Sequence, residues 1–237
     1  MPADVRTRLG ELADRYGLPS AAVGRLRRLL ELVASEPSAI TSVRDPAQGV
    51  DTHVADSLVA LELPVVRKAR RVADLGSGGG FPGLVLAIAL PEARISLVES
   101  VSRKCVFLRS AVAELGLANA AVIQARAEAW PEGIEAHDLV IARALASLPV
   151  LVEYAAPLLE VGGHLVAWKG EPDPSEEADG RAAAEALGMS APEPVEVEPF
   201  AGALSRRLYL SSKVMSTPSS YPRRPGIARK RPIRASG

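Results

Sequence analysis

The chain contains a single cysteine, Cys105, among 237 residues. That excludes an intrachain disulfide and a cysteine-built zinc site. Cys105 falls on the apolar stripe of a predicted helix and reads as core. Only three histidines are present, His53, His137 and His164, too scattered to suggest a metal cluster, so no metal is expected. No apolar run approaches the ~20 residues that a membrane helix requires. The start, MPADVRTRLGELADRYG, lacks the apolar core of a secretory signal. A cytoplasmic protein without membrane contact is expected.

What the chain does have is apolar content for a sizeable core: 48% of its residues are hydrophobic, at a length that suits one large domain or a domain with an extension. Formal net charge is zero, but unevenly spread. From Ser211 onward there are seven basic residues (Lys213, Arg223, Arg224, Arg229, Lys230, Arg231, Arg234) and no acid; taking these from 28 leaves 21 basic against 28 acidic residues in the body. The ending SSYPRRPGIARKRPIRASG is rich in Pro, Arg, Ser and Gly and has little to bury. Residues 213–237 are therefore expected to form a flexible basic tail, which either contacts a phosphate backbone or only aids solubility.

The first 65 residues read as a helical N-terminal extension. Ser20 is placed to cap a helix whose apolar positions Val23, Leu26, Leu29, Leu30 and Val33 keep a period near 3.6. A loop, SAITSVRD, lies between Pro37 and Pro46. Asp51 or Thr52 is expected to start a second helix through Leu61, ended by Pro64. From residue 66 to 212 short apolar strands alternate with helices: strands at 72–75, 94–99, 120–125, 137–143 and 162–169, helices at 81–90, 102–115, 147–159 and 175–187. VEVEPF and RRLYLSS suit a final antiparallel hairpin. This alternation predicts an α/β, Rossmann-like domain with a mostly parallel sheet and helices on both faces.

Between the first strand and its helix lies DLGSGGGFPG, Asp74 to Gly83. Strand, glycine turn and helix in that order suit a nucleotide-type ligand. No Lys-Ser/Thr follows, so it is not a Walker loop. Two registers compete. Gly78, Gly80 and Gly83 match the dinucleotide spacing G-x-G-x-x-G. Gly76, Gly78 and Gly80, preceded by Asp74, match the G-x-G-x-G of S-adenosylmethionine-dependent methyltransferases. Asp74 at the strand end can face the ammonium of a bound amino acid, whereas beside a pyrophosphate it adds repulsion. Glu99, ending the second strand, suits ribose hydroxyls under either reading. Ala127 and Glu128 follow the third strand, where such methyltransferases hold adenine. The methyl donor has no phosphate, so on that reading the glycines serve close backbone approach to its methionine part.

Other candidates cluster at predicted strand ends. His53, Asp56 and Ser57 share one helix face, either lining a pocket or packing on the sheet. Arg143 and Lys169 end the fourth and fifth strands, at the carboxyl edge where open α/β sheets bind ligands. Glu176, Glu177 and Asp179 read as a solvated helix face. Methyl transfer to a nucleophile with a free lone pair needs alignment and exclusion of water more than a base, so no catalytic residue is assigned. The Asn-Pro-Pro-Tyr type motif of exocyclic-amine methylation and a Pro-Cys nucleophile are both missing. A ring nitrogen such as guanine N7 is consistent with that.

The segments TSVRDP (41–46), HVADSL (53–58), VADLGSGGGFPGLVLAI (72–88), ESVSRKCVFLRS (99–110), RAEAW (126–130), ARALASL (142–148) and WKG (168–170) together resemble the bacterial 16S rRNA guanine-N7 methyltransferase family, ribosomal RNA small subunit methyltransferase G or glucose-inhibited division protein B. The resemblance covers about residues 40 to 170. It implies a Rossmann-like methyltransferase that takes S-adenosyl-L-methionine as donor and a guanine in the decoding-region loop of 16S rRNA as acceptor. It implies cofactor contacts from Gly76, Phe81, Ala127, Glu128 and Arg143, joined by Asp74, Gly78, Gly80 and Glu99 from the residue argument. His53, Asp56, Ser57, Arg143 and Lys169 remain the substrate-pocket candidates. A monomer acting on 16S rRNA or a small-subunit precursor is expected, with mild streptomycin resistance on its loss. Many relatives carry Asn at the position of Ala39 and Ser at that of Ala142. The tail resembles the Tyr-Pro-Arg-Arg-Pro-Gly ending of actinobacterial members, outside the shared core; its deletion is expected to lower RNA affinity and spare cofactor binding. Small-molecule methylation on the same fold, an NAD-dependent oxidoreductase and a non-catalytic RNA-binding module are the alternatives.

Overall fold

A computed structural model describes residues 3–38, 40–203 and 205–235. Two amphipathic helices come first, α1 (Ala3–Tyr16) and α2 (Ala22–Ser35). Ser20 does not cap α2: the residue before the helix is Ala21, without a side-chain cap, and the chain enters through a turn from Pro19. The second helical run starts earlier than expected. Asp45 accepts from the N–H groups of Ala47 and Gln48, and Pro46 takes the first helical position, where a missing N–H costs nothing. The run proceeds as α3 (Pro46–Gly49), a π-helical turn (Val50–Ala55), α4 (Asp56–Leu58) and a 3₁₀ turn (Val59–Glu62). Pro64 then opens a further short helix, α5 (Pro64–Lys68), rather than only closing the run.

The sheet is built from β1 (Arg71–Leu75), β2 (Arg94–Glu99), β3 (Ala120–Gln124), β4 (His137–Arg143), β5 (Leu159–Lys169), β6 (Glu193–Glu196) and β7 (Arg207–Ser212). Their spatial order is β3-β2-β1-β4-β5-β7-β6. The first five strands run parallel, and β7 and β6 close the edge as the expected antiparallel hairpin. The connecting helices are α6 (Gly83–Ala89), α7 (Ser102–Glu114), α8 (Leu148–Ala155) and α9 (Pro174–Leu187), with a last turn α10 (Ile227–Lys230). The strand order reverses between β1 and β4, which opens a crevice at their carboxyl ends.

Two cores flank the sheet. On one face the N-terminal helices share a continuous apolar cluster with α6 and α7, so the extension is packed as part of the body. On the other, α8 and α9 pack over Ala73, Val140 and Leu165. Side chains alternate along β1, so Val72 and Asp74 face the first core while Ala73 and Leu75 face the second. Cys105 is fully buried, as expected of a core residue.

The segment read as a flexible tail is instead packed on the second face. Lys213 has a fully buried side chain whose Nζ donates to the carbonyls of Ala156 (2.8 Å) and Leu159 (2.7 Å), and burial lowers its pKa. Further on, Tyr221 and Ile233 pack against the α8/α9 core and Ala228 is buried in it. Composition suggested little to bury, but three apolar side chains and matched acids on the body suffice to seat the segment.

Gly83 begins α6 directly beneath the glycine loop. A Cβ added there would lie 2.4 Å from both Asp74 Oδ2 and Leu97 Cδ2. Gly83→Ala is expected to destabilise the protein by about 1–3 kcal/mol through overpacking; equilibrium urea unfolding of the two proteins measures this.

Candidate active site

The glycine loop is fastened to the end of β2. The N–H groups of Gly76 and Ser77 both donate to Val98 O, at 2.8 and 3.2 Å, and Gly80 N donates to Ser77 O at 2.7 Å. Gly76, Gly78 and Gly80 take φ of 70°, 54° and 88°, a region that glycine enters without penalty. Glu99 then completes the turn: Oε2 accepts from Gly78 N (3.0 Å) and Oε1 from Val101 N (2.8 Å). Each carboxylate oxygen keeps a second lone pair for a ligand.

Asp74 does not reach the crevice. It is 1% exposed, and its carboxylate lies under α6 beside Gly83 and Leu97, as its parity with Val72 dictates. The expected contact with an amino-acid ammonium is thus not made directly. Neither carboxylate oxygen has a hydrogen-bond partner of good geometry. Burial pushes its pKa up to about 7, against the pull of the nearby Ser77 hydroxyl, Arg143 and the Gly83 N–H.

Beside the loop lies a cleft of about 450 Å³ whose lining includes Gly76, Glu99, Lys104, Ala127, Glu128, Leu145, Tyr154 and Arg229. That volume is within the range of roughly 300–1,000 Å³ usual for small-molecule sites. A second cavity of about 560 Å³ adjoins it, lined by Thr41, Thr52, His53, Asp56, Arg143, Trp168, Lys169, Arg206 and Arg207, among others. Ala144, just past β4, lines both, and its backbone is held at φ 53°. A non-glycine residue in that conformation is uncommon and marks the junction as structurally constrained.

Asp56 organises the second cavity. Its Oδ2 accepts from Arg143 Nη1 at 2.8 Å, its Oδ1 lies 3.5 Å from Arg206 Nε, and its backbone carbonyl accepts from Trp168 Nε1 at 2.7 Å. Arg143 Nη1 also donates to Thr52 O at 3.1 Å. His53 stacks on Phe81 with ring centroids 4.3 Å apart, and the Arg143 guanidinium lies 5.7 Å from the Phe81 ring centre. His53 Nε2 faces Val43 O at 2.9 Å, so that nitrogen carries the hydrogen. Burial, aided by Arg143, lowers the His53 pKa and keeps it neutral at pH 7. Lys169 pairs with Glu176, and Tyr209 donates to Glu177, so these two acids are partnered instead of forming a purely solvated face.

The predicted residues therefore divide. Gly76, Glu99, Ala127 and Glu128 gather at the first cleft, while His53, Asp56, Arg143 and Lys169 gather at the second. Phe81 is buried behind His53 and lines neither. Ser57 is turned inward, donating to His53 O. Ala142 is fully buried within the sheet, and Ala39 lies outside the described residues. Sequence reasoning missed Trp168, Arg206 and Arg207 in the second cavity and Lys104, Tyr154 and Arg229 in the first. Among the described residues no group of His, Cys, Asp and Glu could hold a metal, and no helix is long and apolar enough to cross a membrane.

Residues 25–201 match the family model described as rRNA small subunit methyltransferase G (GidB). The chain belongs to this family. The chain is 44% identical over 204 residues to the ribosomal RNA small subunit methyltransferase G of Rubrobacter xylanophilus, covering 84% of this chain and 78% of that one. It is 40% identical over 231 residues to the protein of the same description from Deinococcus radiodurans, covering 93% and 90%. Among crystal structures, a SAM-dependent methyltransferase from Aquifex aeolicus superposes with TM-score 0.57 at 17% identity, over 76% of this chain and 99% of that chain. A SAM-dependent O-methyltransferase from Thermotoga maritima gives 0.54 at 16%, over 77% and 73%. These two report the shared fold. The chain is thus a methyltransferase, and its fold is Rossmann-like.

The buried acid Asp74 makes stability depend on pH. Between the unfolded pKa near 3.8 and about 7, the folded chain retains a proton on Asp74 that the unfolded chain has released. Stability then falls as pH rises across that window, by on the order of a few kcal/mol. Asp74→Asn is expected to shrink the difference in unfolding free energy between pH 5 and pH 8. An unchanged difference would show that Asp74 does not retain the proton.

Proposed function

We propose that this protein transfers a methyl group from S-adenosylmethionine to N7 of a guanine in 16S rRNA, with the donor in the cleft beside the glycine loop and the guanine in the adjoining cavity. The observation that carries the reading is the meeting of the two cavities at Ala144, one floored by carboxylates and the other rimmed by cations, at the crevice where the strand order reverses.

Bound S-adenosylmethionine supplies an activated methyl carbon on a sulfonium. Glu99 suits its ribose: two oxygens, already oriented by Gly78 and Val101, have lone pairs left for hydroxyl donors. Gly76, Ala127 and Glu128 are the proposed neighbours of the rest of the donor, with Gly78 and Gly80 shaping the loop. Asp74 acts from below by packing against Gly83. On the acceptor side Trp168 offers an aromatic wall, Asp56 and Arg143 hold each other in place, and His53 is held by its stack on Phe81. Guanine N7 has a free lone pair, so no proton is removed before attack, and a neutral His53 bound through Nε2 to Val43 O suits a positioning role. Lys169, Arg206 and Arg207 at the cavity edge, paired with Glu176, Asp56 and Glu196, add positive charge on the side that RNA phosphates would approach, so binding is expected to weaken with salt. Action in the cytoplasm on rRNA or a small-subunit precursor belongs to the same proposal.

Mass mapping of 16S rRNA from cells with and without the protein is expected to show one guanine N7-methyl that disappears on deletion; an identical modification map would reject the proposal. Glu99→Ala is expected to weaken S-adenosylmethionine binding at least about tenfold with cooperative unfolding retained, as measured by titration calorimetry. Unchanged affinity would remove Glu99 from the ribose.

A further inference from the structure

The family match ends at residue 201, yet the chain beyond it forms part of the cofactor cleft. Three anchors hold the segment from Pro218 to Ala235. Arg223 makes a two-point ion pair with Glu153 on α8, whose side chain is 3% exposed. Gly226, at φ 82°, turns its N–H to donate to Glu128 Oε1 at 2.9 Å. Ala235 N donates to Asp179 Oδ1 on α9 at 2.9 Å. Between the first two anchors and the third, α10 buries Ala228 and places Arg229 at the cleft, with Nη2 donating to Leu145 O at 2.7 Å.

We propose that residues 218–235 are a strap that completes the S-adenosylmethionine site, with Arg229 as a donor-binding wall residue at the adenosine end. The inference rests on the assignment of that cleft to the methyl donor. Three observations carry it. Glu128, which lines the cleft, has one carboxylate oxygen engaged by the strap, so its orientation depends on the strap being docked. Arg229 faces a cleft that also holds the Glu99 and Glu128 carboxylates, and its cation offsets their charge. Arg223, the first basic residue of the strap, is spent on a buried acid of the body and is unavailable to RNA. Donor binding and strap docking are then linked: a ligand that contacts both the body and Arg229 favours the docked strap, and an undocked strap weakens the ligand. This reverses the expectation that removing the basic ending spares cofactor binding.

Arg229 is exposed, so Arg229→Ala leaves the core intact. Its affinity for S-adenosylhomocysteine, measured by calorimetry, is expected to fall about tenfold, with 16S rRNA affinity unchanged. In the wild-type protein, saturating S-adenosylhomocysteine is expected to slow tryptic cleavage within the strap, after Arg229 and Lys230. Ligand affinity equal to wild type in Arg229→Ala, or strap cleavage at the same rate with and without ligand, overturns the proposal. A fall in RNA affinity with ligand affinity kept marks an RNA-binding arm and overturns it as well. A wild-type protein that binds no S-adenosylhomocysteine refutes the cofactor assignment itself, a result distinct from a wild type that binds and an Arg229→Ala variant that binds equally.

Discussion

The carboxylate of Asp56 is the constraint on which the acceptor side of the molecule depends. One residue on a short helical segment ties together β4 through Arg143, the approach to β7 through Arg206 and, by its backbone carbonyl, β5 through Trp168. Its side chain is 9% exposed and that of Arg143 17%. Charges so far from water need partners of opposite sign, and here each supplies the other's. The N-terminal helices are thereby fixed to the strand ends by polar contacts as well as by their shared core. The cavity between them has walls drawn from parts of the chain more than a hundred residues apart.

The donor side follows a different logic, in which backbone does most of the shaping. The loop is pinned to Val98 O and Glu99, and the same carboxylate that orders the loop is the one that faces the cleft. Asp74 pays the cost of this arrangement. A β-strand residue of its parity must point beneath α6, and the absence of a side chain at Gly83 is what leaves room for it. The glycines of the loop thus answer to two demands, left-handed backbone at Gly76, Gly78 and Gly80 and close packing at Gly83. The first was expected to serve ligand approach alone.

The two sites also differ in how far they could be read from residues in order. The glycine loop, Glu99 and the Ala127-Glu128 pair follow consecutive strands, so their convergence at one sheet edge follows from parallel topology. Arg143 and Lys169 end strands and were placed by the same rule. Trp168 and Arg206 carry no such local signal, since Trp168 reaches Asp56 across 112 positions. Helix starts show the same division. Asp45 followed by Pro46 is a strong local helix-start signal, whereas the expected starts, Asp51 or Thr52, lie inside the helical run. Ser20 had the right chemistry for a cap, yet a turn at Pro19 set the entry to α2.

The sequence by itself determined the parallel α/β layering, the glycine turn and the family, because these depend on periodicity, on residue types at short spacing and on motifs in a set order. Tertiary structure alone decided where charge is spent. The basic ending looked solvated because nothing near it in sequence is acidic. Its partners Glu128, Glu153 and Asp179 lie elsewhere in the chain, and folding brings them to one surface. Asp74 looked like a ligand contact because it borders the loop, and became a buried acid because strand parity and the packing of α6 left its carboxylate no path to the crevice.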